Sequence, residues 1–186
     1  FCWPAQAGGG RLRRMDGPAD KTPRPVRVAL LTVSDTRTLE TDTSGALLEE
    51  RARTAGHDVV ARALCVDEKE RILEHVDHFL SAEVAAEVIL GTGITGRDVP
   101  ADALSPRLDK PIPGFGELFR MLSYADIGPS TIASRAIAGR IGGAIAFALP
   151  GSTGACRLAW DKILAHQLDI RSKPCNLVSL LPRLSE

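Results

Sequence analysis

The hydrophobic positions of this chain change period several times after residue 25. Residues 26–33 (VRVALLTV) are β-branched and nearly uncharged, which is how a strand covered on both faces of a parallel sheet reads. Residues 43–55 then predict a helix, capped by Asp42 or Thr43 and closed by Gly56. Residues 59–66 predict a second strand. Beyond it, Ile72, Leu73, Val76, Phe79 and Leu80 fall at i, i+1, i+4, i+7 and i+8, one face of a helix that begins near Glu68. A shorter strand starts at residues 87–90 and meets the glycine-rich stretch 91–96 (GTGITG), and helices follow near 99–108 and 116–125. Residues 144–149 (AIAFAL) form a buried strand, followed by Pro150-Gly151-Ser152 and a helix whose Cys156, Ala159, Trp160, Ile163 and Leu164 make one apolar stripe. Strand and helix alternate throughout, so the class expected is α/β: a three-layer sandwich with a mainly parallel sheet.

The first 25 residues have no such pattern. They hold Gly8, Gly9, Gly10 and Gly17 with Pro4, Pro18, Pro23 and Pro25, and are expected to form a disordered leader before a single domain over 26–186. Met15 is a candidate natural start, with residues 1–14 upstream of it.

Composition narrows the function classes. Lys plus Arg and Asp plus Glu are both 23. Residues 1–27 carry six basic against two acidic side chains, which leaves the remainder mildly acidic and unsuited to nucleic acid. The longest apolar run is six residues, too short to span a bilayer. The four cysteines, at 2, 65, 156 and 175, show neither a Cys-x-x-Cys pair nor a zinc-type spacing with histidine. Free thiols in a cytoplasmic, reducing compartment are expected.

In an open α/β sheet, ligands bind outside the carboxyl ends of the strands. There the chain places Ser34-Asp35, Asp67, residues 91–98 and Pro150-Gly151-Ser152. Gly91, Thr92 and Gly93 are read as a turn whose backbone can approach a ligand closely and offer N–H groups to phosphate. Gly91, Gly93 and Gly96 match G-x-G-x-x-G by count, but the helix opens too late for a dinucleotide fingerprint, and no Walker A lysine follows.

Asp67 and Asp98 each follow a strand and precede a helix, which fits two roles. They can cap those helices, Asp67 with Glu70 at capping-box spacing. Facing each other across a phosphate-binding loop, they can instead hold Mg²⁺ against nucleotide phosphates. Pro150-Gly151-Ser152 is likewise either an ordinary β-to-α turn or an anion cradle at a helix N-terminus. His75 and His78 stand at i, i+3 on a charged helix face and are read as solvated surface, and Cys65 and Cys156 as core.

These residues, taken in order, resemble the molybdenum cofactor biosynthesis protein B (MoaB) family, of the MogA/MoaB-like molybdopterin-binding superfamily. The resemblance rests on residues 32–37 (TVSDTR), 42–45 (DTSG), Gly56-His57, Asp67, 91–93 with Arg97-Asp98, 114–120 (GFGELFR), Ile127-Gly128, Ser134-Arg135 and 149–152 (LPGS). It runs colinearly over about residues 26–182. It implies the molybdenum cofactor biosynthesis protein fold and binding of molybdopterin. It also implies Mg-ATP-dependent adenylylation of molybdopterin, in which AMP passes to the terminal phosphate and pyrophosphate leaves, a nucleotidyltransferase activity.

By position, Asp67 and Asp98 would be catalytic and would organise Mg²⁺ and ATP, while Gly91, Thr92 and Gly93 would hold the nucleotide. Glu117, Ser134, Arg135, Pro150, Gly151 and Ser152 would bind the pterin. The resemblance further implies a homotrimer or homohexamer and other cofactor-pathway proteins as partners, with no nucleic acid and no membrane. One departure is visible: where the family carries Thr-Gly-Gly-Thr-Gly, residues 88–90 (VIL) run straight into Gly91, two or three residues short. A second reading of the resemblance is therefore a non-catalytic, oligomeric pterin- or partner-binding protein of the same pathway.

Overall fold

The computed structural model describes residues 22–93 and 99–184. Its centre is a sheet of six strands: β1 (Arg27–Val33), β2 (Asp58–Cys65), β3 (Val88–Gly93), β4 (Lys110–Pro111), β5 (Ile137–Ile141) and β6 (Ala144–Pro150), in the order β2-β1-β3-β6-β5-β4. The first four in that order run parallel, and β5 pairs antiparallel with both β6 and β4. This is the mainly parallel, three-layer α/β arrangement the hydrophobic pattern predicts.

One layer is formed by α1 (Thr43–Thr54), α4 (Pro113–Ile127) and α5 (Thr153–Ala159), packed on the sheet through Leu48, Phe115, Phe119 and Cys156 against Leu30, Leu90 and Phe147. Phe115 and Phe147 meet edge to face at 5.0 Å. The other layer is α2 (Lys69–Leu80) and α3 (Val99–Leu104), whose Ile72, Val76, Phe79 and Leu104 cover Leu31, Val33 and Ile89. Strands β1, β3 and β6 are covered on both faces, which is why they read as continuous apolar runs. Past α5 the helix widens into a π-helical turn, Trp160–Leu164, and closes as α6 (Ala165–Gln167). No helix among the described residues is long and apolar enough to cross a membrane.

Two elements differ from expectation. The expected strand at 87–90 continues through Gly91, Thr92 and Gly93, which register against Leu31, Thr32 and Val33 of β1 and Ala148, Leu149 and Pro150 of β6. Those three residues are therefore strand, where a turn was expected. The pair β5 and β6 is a hairpin closed by Gly142-Gly143, with Gly142 at φ +55°, a signal that Gly-Gly between two apolar runs carries. Of the expected leader, residues 1–21 lie outside the described residues. Arg24, inside it, ion-pairs with Glu87 just before β3.

At the amino-terminal edge of the sheet, His57 is 8% exposed. Its Nδ1 accepts from the Val26 backbone N–H at 3.4 Å, and its ring meets Trp160 edge-on at 6.3 Å. Burial holds the imidazole below its ordinary pKa, partly opposed by the Asp169 and Asp58 carboxylates. A depressed histidine stabilises the fold fully above the ordinary value near 6.5, and that contribution is lost as pH falls below it toward the folded value. Urea midpoints of the wild type should therefore drop from pH 7 downward more steeply than those of His57→Gln. Parallel pH profiles would show that His57 stays equally charged in both states.

Candidate functional site

The carboxyl ends of the strands are tied together by hydroxyls and carboxylates on the loops that leave them. After β1, the buried Ser34 Oγ accepts from the backbone N–H groups of Thr36 and Arg37 at 3.3 and 3.2 Å. Asp35 Oδ1 accepts from the Asp67 backbone N–H at 2.9 Å, which joins the ends of β1 and β2. Asp67 itself is 3% exposed. Helix α2 starts later than the capping reading requires: Glu68 occupies the N-cap and makes no side-chain cap bond. The helix-cap role of Asp67 is thereby overturned.

Asp42 is the densest node. Its carboxylate has no solvent exposure and accepts from Thr32 Oγ1 at 2.8 Å, from the Gly45 N–H at 2.9 Å and from Arg62 Nη2 at 3.0 Å, with Arg37 at 3.9 Å. It thus links β1, the start of α1 and β2. Gly45 is required here, because a Cβ would lie 2.8 Å from Thr32 Oγ1 and strike the Asp42 carboxylate. One residue earlier, Ser44 Oγ donates to the Gly151 carbonyl at 2.9 Å, and the Thr43 and Thr153 hydroxyls meet at 2.9 Å. The first turn of α1 therefore holds the turn after β6. In that turn Ser152 Oγ accepts from the Ala155 N–H at 3.2 Å and caps α5, so the β-to-α turn is observed.

Gly93 has a packing reason: a Cβ there would lie 2.5 Å from Pro100 Cγ. Gly91 has ordinary clearance, its nearest neighbour being the Phe147 carbonyl at 3.5 Å. Between them Thr92 is 1% exposed, and its Oγ1 has no hydrogen-bond partner among the described residues.

On the far side of β6, Glu117 is exposed in the second turn of α4. Arg120, one turn on, donates from Nη1 to the Ser134 carbonyl at 3.3 Å. The Ser134 Oγ is buried with no partner among the described residues. Arg135 is exposed and donates from Nη1 to Asp102 at 3.0 Å; its hydrogen bond holds the Asp102 carboxyl below the usual range. Ser134-Arg135 precede β5, whose Ile137 pairs with Ala148, so they sit at the same sheet edge as Pro150. From β2 to β5 is four inter-strand steps, about 19 Å. Asp67 and Ser134-Arg135 thus stand at the two ends of one sheet edge, with Thr92 and Gly151 between.

A family profile described as "Probable molybdopterin binding domain" matches residues 29–169. Molybdenum cofactor biosynthesis protein B of Escherichia coli (strain K12) is 46% identical over 154 residues, covering 82% of this chain and 91% of that protein. The chain belongs to the molybdenum cofactor biosynthesis protein B family. A crystal structure of a molybdenum cofactor biosynthesis protein B superposes with a TM-score of 0.78 at 43% identity, covering 88% of this chain and 98% of that one. The tungsten cofactor synthesizing protein MoaB from Pyrococcus furiosus does so at 0.70 and 28% identity, covering 89% and 100%.

Against the family pattern, the structure brings Asp67, Gly91, Thr92, Gly93, Pro150, Gly151 and Ser152 to neighbouring strand ends and sets Glu117, Ser134 and Arg135 beside them. Asp98, the second expected carboxylate, lies outside the described residues. Among the described residues no group of three or more His, Cys, Asp or Glu side chains is arranged around a common metal position. His78 is exposed and His75 half-buried beside Phe79, as a helix surface requires. Sequence reasoning missed Arg62 and the anchoring role of Ser44. An N-cap Asp followed by Thr-Ser was visible for Ser44, but nothing marked an arginine in an edge strand as a partner of Asp42.

Asp42→Ala should lower the unfolding free energy by about 2 kcal/mol, because it leaves the Gly45 amide and the Thr32 hydroxyl without their acceptor and removes one partner of Arg62, which keeps its pair with Glu49. Urea denaturation measures this. A loss under about 0.5 kcal/mol would mean the carboxylate is an ordinary surface cap.

Proposed function

We propose that this chain binds molybdopterin along the carboxyl edge of its sheet, in molybdenum cofactor assembly, and transfers AMP to it from Mg-ATP. The observation that carries the reading is the convergence of the family's motif residues on one crevice containing two buried hydroxyls, Thr92 Oγ1 and Ser134 Oγ, without partners among the described residues. Buried hydroxyls of this kind cost stability unless something hydrogen-bonds to them. The crevice is long enough for a nucleotide at the β1–β3 side and a pterin against α4 and β5. Glu117, Ser134, Arg135, Pro150, Gly151 and Ser152 line the pterin half in this reading.

Asp67 and Asp98 would hold Mg²⁺, which supplies charge neutralisation of the triphosphate. Asp67 supports this, being a buried carboxylate at a strand end beside Asp35, and carboxylate oxygens are the ligands Mg²⁺ prefers. The terminal phosphate of molybdopterin is itself the nucleophile, and pyrophosphate leaves. The protein then needs only to position and to neutralise charge, so a crevice without a nucleophilic side chain suffices.

One observation favours the non-catalytic reading. Gly91, Thr92 and Gly93 lie in a central strand between β1 and β6, where backbone N–H groups are committed to neighbouring strands and not to a phosphate. Anaerobic incubation of molybdopterin with Mg-ATP, read by separation of the adenylylated product, decides between the two. The expected outcome is turnover in wild type that vanishes in Asp67→Asn and in Asp98→Asn. Pterin binding without turnover in the folded wild type would establish the binding role instead.

Assembly belongs to the same proposal. Leu118, Met121, Tyr124 and Ile127 of α4, with Ile132 just beyond it, are exposed, Ile132 at 86%. An apolar face of this kind is buried in trimers or hexamers of the chain. Met121→Glu with Ile132→Glu should shift the mass by light scattering to the monomer; an unchanged mass would place the interface elsewhere.

A further inference from the structure

The opposite edge of the sheet carries a cavity that the crevice does not involve. It has a volume of about 180 Å³ and is lined by Pro23, Arg24, Pro25, Ala55, Gly56, His57, Leu168, Asp169 and Arg171. A cavity near 150 Å³ is large enough for a benzene-sized body. Pro23, Pro25, Ala55 and Leu168 supply apolar walls, so the chemistry is decided by the four charged or polar side chains.

Their hydrogen bonds leave donors in excess. Asp169 is satisfied by Arg171, whose backbone N–H, Nε and Nη2 all donate to it at 2.9 Å. Arg171 Nη1 takes no part in that pairing. Arg24 ion-pairs with Glu87 through Nη2, and its Nη1 is buried without a partner among the described residues. His57 accepts at Nδ1 from Val26, which puts the imidazole proton on Nε2, a further donor. Buried donors without acceptors are costly, and an anion accepts from guanidinium groups more strongly than a neutral group does.

We propose that this cavity binds a small monocarboxylate with a compact apolar body, its carboxylate held by the Arg24 guanidinium and His57 Nε2–H and its body against Leu168 and the two prolines. Asp169 is no obstacle, since Arg171 neutralises it. The site is independent of the strand-end crevice and of the function proposed for it.

Benzoate is the probe, titrated into the 186-residue chain at pH 7 by calorimetry, with the His57 ring signals followed by NMR. The expected result is saturable one-to-one binding that moves the His57 signals and weakens at least about tenfold in Arg24→Gln. Because Arg24→Gln also breaks the pair with Glu87, Glu87→Gln is the companion variant. It keeps the guanidinium, and binding should be retained or tightened. No saturable binding in wild type, equal binding of benzamidine, or equal weakening in Glu87→Gln would each overturn the proposal.

Discussion

The buried carboxylate of Asp42 is the constraint on which the rest of the functional edge depends. A charge taken out of water is tolerated only where several donors surround it, and here they come from three elements: Thr32 of β1, the Gly45 amide of α1 and Arg62 of β2. Satisfying one side chain therefore fixes where α1 begins relative to the sheet. That placement in turn delivers Ser44 to the Gly151 carbonyl and Thr43 to Thr153, so the turn after β6 is positioned from β1. Strands that neither touch nor follow one another acquire a common edge through one loop.

The same logic separates structural from chemical residues there. Ser152 caps α5, and Gly93 admits Pro100; both have sufficient structural reasons to be what they are. Thr92 Oγ1 and Ser134 Oγ have no hydrogen-bond partner among the described residues. Cys156 is under the edge but inert, since burial pushes its thiol up to about 12 and its Sγ leans on the Pro150 carbonyl at 3.6 Å.

Most of the fold was legible because doubly covered strands and one-sided helices have different periods. The stripe of Ile72, Val76 and Phe79 and the run 144–149 are buried as their spacing demands. Strand β5 was missed because IAGRI is short and interrupted by glycine and arginine, although Gly142-Gly143 marked the hairpin. Helix α4 begins at Pro113, earlier than the pattern suggested, because a Pro-Gly pair reads as a breaker while proline suits the first helical turn. Gly91 and Gly93 read as a loop for the same reason, glycine being ambiguous without its partners; the pairing with β1 and β6 is a tertiary fact. The candidate site was legible in its members and largely not in its wiring: Asp35 bonding to the Asp67 amide and Arg62 reaching Asp42 are long-range contacts with no local signature.

The central claim is that one ligand-binding crevice runs along the carboxyl edge from Asp67 to Ser134. Amide hydrogen exchange of the full chain with and without molybdopterin, under anaerobic conditions, tests it most directly. The account predicts slower exchange in residues 113–117, 134–137 and 150–155 on ligand addition, with the amino-terminal edge around Val26 and His57 unchanged. Unchanged exchange at the carboxyl edge, or protection confined to the opposite edge, would contradict it.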